Sequence, residues 1–146
     1  MRVGVVRPIA LCVFRDDNDR ILVLEGYDPT HELTFYRPLG GGIEFGERSQ
    51  DTVAREIREE LELDVLDLEF VGTLENVFTY DGLPGHEIAL VYEGAFLDQS
   101  VYSQPYLLGT EDDGTPITAV WKPLDAFRTG AAPLYPDGLL ELLDGN

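Results

Sequence analysis

GGIEFGERSQDTVAREIREELEL, running from Gly41 to Leu63, decides how this chain folds. Gly40-Gly41-Gly42 reads as a flexible loop where backbone can approach a ligand closely. Ser49 is placed to N-cap a helix over Gln50–Leu61. On that helix Val53, Ile57 and Leu61 recur every four residues beside Ala54, an apolar stripe for packing on a sheet. Glu56, Glu59 and Glu60 fall at i, i+3 and i+4 and crowd one flank. Like charges there repel, and a hard divalent cation, which prefers carboxylate oxygens, would reverse the penalty. The plainer alternative is a solvated acidic helix face.

The full pattern is Gly41, five residues, Glu47, seven residues, Arg55-Glu56-Ile57, one residue, Glu59-Glu60, one residue, then Glu62-Leu63. This spacing resembles the Nudix box, with one departure: Glu62 stands where the family has glycine. That position should be the helix C-cap, where a left-handed backbone is common. A non-glycine residue there costs on the order of 1 kcal/mol but removes no metal ligand. The resemblance implies a single domain over residues 1–146, an α/β/α sandwich with a mixed sheet and the box as loop–helix–loop.

Composition narrows the function classes. The chain has 146 residues, enough for one domain with a real core. Its formal net charge is −18, with Lys122 as its one lysine against nine arginines. This argues against nucleic-acid and anionic-membrane binding, which need basic patches. An anionic substrate would have to be neutralised locally, by metal and a few arginines. The acidity is compatible with a high-salt host, the arginine bias with a GC-rich genome. Cys12, the single cysteine, excludes an intrachain disulfide and reads as a small core residue. The apolar run Val3–Phe14 is interrupted by Arg7 and Pro8 and is too short to span a bilayer. Without export features, a cytoplasmic location is expected. A homodimer is compatible with the sequence.

Along the chain, Val5–Phe14 reads as a strand with Ile21–Leu24 as its hairpin partner across the turn Asp16–Asp19. Leu33–Pro38 is a third strand, entered after a turn at Tyr27–Thr30. Leu66–Tyr80 is strand-like but broken at Gly72, Asp81–Gly85 is a turn, and Ile88–Phe96 alternates cleanly. Asp98–Gly114 reads as loop, Ile117–Trp121 as a last strand, Pro123–Phe127 as a helical turn and Asp137–Leu143 as a helix. Strands on both sides of one central helix suggest a mixed-sheet α/β sandwich.

The Nudix resemblance also implies a chemistry: hydrolysis of the pyrophosphate linkage in a nucleoside diphosphate joined to another group, with Mg²⁺ or Mn²⁺. Carried onto this chain, the implied metal ligands are Glu56, Glu59, Glu60 and the Gly40 carbonyl. Glu59, Glu60, Glu47 and Arg55 are the catalytic candidates, Glu47 and Arg55 acting by holding neighbours in place. Glu44 could fix the loop. The general base is a box glutamate or an outside carboxylate, with Glu87, Glu93, Glu111, Asp112 and Asp113 as candidates. His86 could line the site, but a capping or surface role suits it better. Phe35, Tyr36 and Arg37 could stack a base and pair a phosphate; an alternating strand puts Phe35 and Arg37 on one face and Tyr36 on the other, so at least one of the aromatics should belong to the core. The proline that marks ADP-ribose hydrolases would fall near Phe78, and the nearest here is Pro84. Tyr80 falls where dinucleoside polyphosphate hydrolases carry a tyrosine, and is the third substrate-binding candidate. The competing readings are a Nudix-like nucleotide-binding or sensing domain without turnover, against which the intact box carboxylates argue, and an acidic calcium module, whose loop spacing is missing.

Overall fold

The computed structural model describes residues 4–130 and 132–145. Two four-stranded sheets form the frame. The first runs β4 (Leu39–Gly42), β1 (Val6–Phe14), β6 (Leu83–Phe96), β5 (Val65–Tyr80). Its β1–β6 pairing is parallel and its other pairings antiparallel, so the sheet is mixed. The second runs β3 (Leu33–Arg37), β2 (Arg20–Asp28), β8 (Pro116–Pro123), β7 (Tyr106–Thr110), all antiparallel.

Both faces of this frame are covered, which explains why its central strands are so apolar. Ala10, Cys12 and Phe14 of β1, with Leu22 and Leu24 of β2, pack with Val53, Ile57 and Leu61 of helix α1 (Ser49–Leu61). The alternate residues Ile9, Leu11, Val13, Ile21 and Val23 face a second core. That core holds Leu124 and Phe127 of α2 (Leu124–Arg128) and Leu139 and Leu143 of α3 (Leu139–Asp144). The α/β/α sandwich is therefore as expected, with the strand period of two sorting each chain between two cores. Among the described residues, no helix is long and apolar enough to cross a membrane.

Several local expectations are corrected. β1 and β2 are not hairpin partners: they belong to different sheets, and Arg15, just after β1, makes one isolated bridge to Ile21. Each is buried on both faces, so each takes the centre of its own sheet instead of pairing with the other. The turn between them is held by Asp16, whose Oδ1 accepts the Asn18 and Arg20 amides at 3.0 and 2.9 Å. The glycine loop is a strand, β4, paired to β1. Its glycines serve close approach: a Cβ at Gly40 would run into the Ala10 carbonyl, and one at Gly41 would lie 2.5 Å from the Glu56 carboxyl carbon. Ser49 is the first helical residue and not the cap: Arg48 is the cap, without a side-chain bond, and the Ser49 hydroxyl lies 2.5 Å from that of Tyr92.

Leu66–Tyr80 does not break at Gly72. β5 continues through register shifts between Leu66 and Glu69 and between Phe70 and Gly72, where bulges absorb the irregularity. The following turn shrinks to Asp81-Gly82, both with positive φ, as a tight two-residue hairpin needs. The stretch 98–114 is not all loop: it contains a short 3-10 helix, Gln99–Ser103, and the edge strand β7. Only Leu107 of β7 is buried, so its pattern carries little strand signal.

Candidate metal and catalytic site

The site is built around α1. Val53 and Ile57 anchor one face of the helix in the core, and this turns Glu56 and Glu60 inward beside the sheet edge. Both are nearly buried, 7% and 8% exposed, while Glu59 stays exposed at 42% of its side chain. The helix ends at Glu62, whose φ of 57° and ψ of 37° are left-handed. Its amide donates to the Arg58 carbonyl at 2.9 Å. The cap conformation expected at this departure from the box is therefore the one observed.

Arg55 organises the rest. Its Nε and Nη2 donate to the two oxygens of Glu47 at 2.8 and 3.0 Å. Nη1 donates to Glu56 at 2.8 Å and to Glu59 at 3.3 Å, and Nη2 also donates to the Gly42 carbonyl at 3.1 Å. One planar guanidinium thus ties β4, the loop after it and two helix carboxylates together. Glu47 also accepts from the buried Thr52 hydroxyl at 2.7 Å and from the Glu44 amide at 3.2 Å. Arg55, then Thr52, holds the Glu47 carboxyl down to about 2. Glu44 contributes chiefly through this amide, its side chain being exposed and 3.7 Å from Arg55.

The inward glutamates behave oppositely. Burial raises Glu56, with Arg55 partly offsetting it and Asp112 and Glu59 adding repulsion. Burial, then repulsion from Glu56, pushes Glu60 up to about 8, against a pull from Arg37 and with further repulsion from Glu111 and Asp112. The Glu60 Oε1 is buried without a hydrogen-bond partner. Such an atom is costly unless something else completes it.

Of the outside carboxylates, Asp112 joins the site. Oxygens of Glu56, Glu59 and Asp112 all lie within 4.8 Å of one another. This is comparable to the roughly 4 Å between opposite ligands of a magnesium-sized ion. Asp112 arrives on the turn between β7 and β8, closed by bonds from the Glu111 amide to Thr115 and from the Gly114 amide to Glu111, both 2.8 Å. β7 packs close because Gly109 has no Cβ to strike the Glu60 carbonyl. An all-oxygen donor set with an unpartnered buried carboxylate oxygen beside it fits a hard divalent cation. Glu87 instead pairs with Arg7 at 3.4 Å, Glu93 with Arg15 at 2.9 Å, and Asp113 accepts the Thr115 amide at 2.9 Å. His86 sits away from the site, against Glu75 at 3.3 Å.

The residue pattern, the fold and the site geometry agree with a family-model comparison: residues 5–139 match the NUDIX domain. The chain belongs to the Nudix family. Solved Nudix structures share its fold at low identity. A NUDIX hydrolase from Nitrosomonas europaea superimposes with a TM-score of 0.62 at 18% identity, covering 96% of this chain and 87% of its own. A MutT NUDIX hydrolase from Burkholderia pseudomallei gives 0.60 at 20%, covering 84% and 86%. A mutator MutT protein from Bacillus halodurans gives 0.58 at 21%, covering 94% and 80%. These likenesses concern the fold.

The three residues expected to bind substrate are placed differently from one another. Arg37 opposes Leu24 and Phe35 opposes Gly26 across β3 and β2. Leu24 lies in the core under α1, so Arg37 and Phe35 share that side, and Arg37 acts electrostatically on Glu60. Tyr80 stands edge-on to Phe35, ring centres 5.9 Å apart. Tyr36 is on the opposite face, packed on Phe127 in the other core. Sequence reasoning missed Tyr135, whose ring is 5.5 Å from that of Phe35, because nothing local signals that its segment joins the β3 edge.

Proposed function

We propose that this Nudix protein is a divalent-metal-dependent pyrophosphohydrolase, cleaving a nucleoside diphosphate linked to another group by water attack at phosphorus. The observation that carries this is the convergence of Glu56 and Glu59 from α1 with Asp112 from the β7–β8 turn, beside the unpartnered oxygen of Glu60. Glu56, Glu59, Glu60, Asp112 and the Gly40 carbonyl would hold Mg²⁺ or Mn²⁺. When bound, the metal supplies charge neutralisation at the phosphates and acidifies water. Arg55 holds Glu56 and Glu59 in place and is itself fixed by Glu47. Glu47 is too weak a base, with both oxygens engaged, to take the water proton, which leaves Glu59, Glu60, Glu111 or Asp112 for that role.

Among the described residues, Arg37 and Arg48 have no carboxylate within ion-pair distance, while Arg7, Arg15, Arg20, Arg55, Arg58 and Arg128 each have at least one. In so acidic a chain a free guanidinium on the site's face suits a substrate phosphate, and Phe35 and Tyr80 beyond it suit a base. A cytoplasmic setting goes with such a substrate. The test is a panel of nucleoside triphosphates, nucleotide sugars and dinucleoside polyphosphates, assayed for products with Mg²⁺ and with Mn²⁺. Metal-dependent release of a nucleoside monophosphate from at least one class is expected. Binding without turnover across the panel would point to a sensing domain instead.

A further inference from the structure

Two turns from different sheets are fastened together by one buried carboxylate. Asp28, at the end of β2, is 6% exposed. Its Oδ1 accepts the Thr30 amide at 3.0 Å and the Asp81 amide at 3.2 Å, and its Oδ2 lies 2.7 Å from His31 Nδ1. Thr30 and His31 belong to its own turn. Asp81 is the first turn residue of the β5–β6 hairpin, in the other sheet, with a φ of 50°. Beside this link the Tyr80 hydroxyl donates to the Tyr27 carbonyl at 3.2 Å. Residues 80–81 are therefore tied to residues 27–28 at two points.

The consequence falls on aromatic rings. The ring of Phe35 lies over Gly26, where a Cβ would collide with it. Tyr80 meets it edge-on and Tyr135 tilts against it at 49°. Tyr135 is brought in by the bond from its amide to the Tyr36 carbonyl at 2.8 Å, and it also feels the Asp28 charge. Tyr80 keeps 40% of its surface exposed, and Phe35 and Tyr135 are half-buried, so the wall is open to a ligand. Tyr80 is the ring whose place depends on the latch, since the hairpin tip is otherwise exposed.

We propose that Asp28 is a positioning residue: it pins the β5–β6 hairpin tip to the turn after β2, and so sets Tyr80 with Phe35 and Tyr135 as a wall for the planar base of the substrate. This rests on the reading of the substrate as a nucleotide. Base–aromatic stacking is worth about 1–3 kcal/mol per base, or roughly 5- to 150-fold in affinity.

The test uses probes without a pyrophosphate linkage, which bind but are not turned over: the four nucleoside 5′-monophosphates and ribose 5-phosphate, titrated calorimetrically with Mg²⁺ present. The wild type should prefer the best monophosphate over ribose 5-phosphate by at least ~10-fold. Asp28→Ala and Tyr80→Ala should each cut this ratio at least ~3-fold, and combining them should cut it no further than Tyr80→Ala alone. Asp28→Asn, which keeps an acceptor for the Asp81 amide, should retain most of the ratio. If Asp28→Ala fails to fold, Asp28→Ser, whose shorter side chain keeps an acceptor for its own turn but falls short of the Asp81 amide, should lower the ratio about 2-fold. A wild-type ratio near one, a folded Asp28→Ala with the wild-type ratio, or an unchanged Asp28→Ser in the other case would each overturn the proposal. A protein with the expected ratios and no hydrolysis would lose the hydrolase reading alone, and a hydrolase with a ratio of one would lose this inference alone.

Discussion

Glu62→Gly should make this protein more stable. Glu62 holds φ 57° and ψ 37° at the C-cap of α1, and its side chain is exposed. A left-handed residue with a Cβ costs about 1–2 kcal/mol. A carboxylate at the negative end of the helix adds about 0.3–1 kcal/mol. Glycine removes both, but its freer unfolded chain takes back about 0.4–1 kcal/mol. The net gain is roughly 1 kcal/mol, which for a domain of this size is a rise of about 2–4 °C in melting temperature. Calorimetric melts of wild type, Glu62→Gly and Glu62→Gln would measure it. The glutamine variant keeps the Cβ and loses only the charge, so it should gain less than the glycine variant. Hydrolytic activity should be similar in all three. A loss of stability in Glu62→Gly would refute the reasoning, and equal gains in both variants would assign the effect to charge and not to backbone strain.

Three further outcomes follow from the same geometry. Mg²⁺ or Mn²⁺ at millimolar concentration should raise the melting temperature well beyond an equal ionic strength of NaCl, and the effect should shrink sharply in a Glu56→Gln, Glu60→Gln double variant; equal rises would assign the ions to the general acidic surface. Metal-free protein should be most stable near pH 4.5: Glu60, raised to about 8, loses its contribution as pH climbs from 4.5 through 8, while Glu47, lowered to about 2, loses its own as pH falls from 4.5 toward 2, so melts that keep improving from pH 6 to 8 would contradict this. Arg55→Lys should lower kcat at least ~10-fold with a folded chain, because one ammonium cannot bridge Glu47, Glu56, Glu59 and the Gly42 carbonyl together; turnover within 2-fold of wild type would contradict it.

What the sequence made legible is local and periodic. The α1 stripe of Val53, Ile57 and Leu61, the crowding of Glu56 with its neighbours and the left-handed cap at Glu62 all follow from spacing within one helix. What it hid depends on distant partners. Pairing of β1 with β6 in place of β2 joins residues 80 apart, and two strands buried on both faces give no alternation to choose between partners. The glycines of β4 look like a loop until Glu56 and the Ala10 carbonyl occupy the space that side chains would need. Ser49 has the right chemistry for a cap, yet its hydroxyl finds Tyr92. Asp112 is one acid in a run of three, and only the approach of β7 at Gly109 brings it to Glu56. Asp28 reads as an ordinary turn residue because the amide it holds is 53 residues away.

Whether the buried glutamates are metal ligands in a working hydrolase is tested most directly by turnover of the best panel substrate by Glu56→Gln and Glu60→Gln. Each substitution keeps the side-chain shape, so folded protein is expected by circular dichroism. Loss of metal-based charge stabilisation is worth several kcal/mol, so kcat should fall at least ~100-fold in each variant at saturating Mg²⁺. Near-wild-type kcat in both folded variants would contradict the assignment of the site.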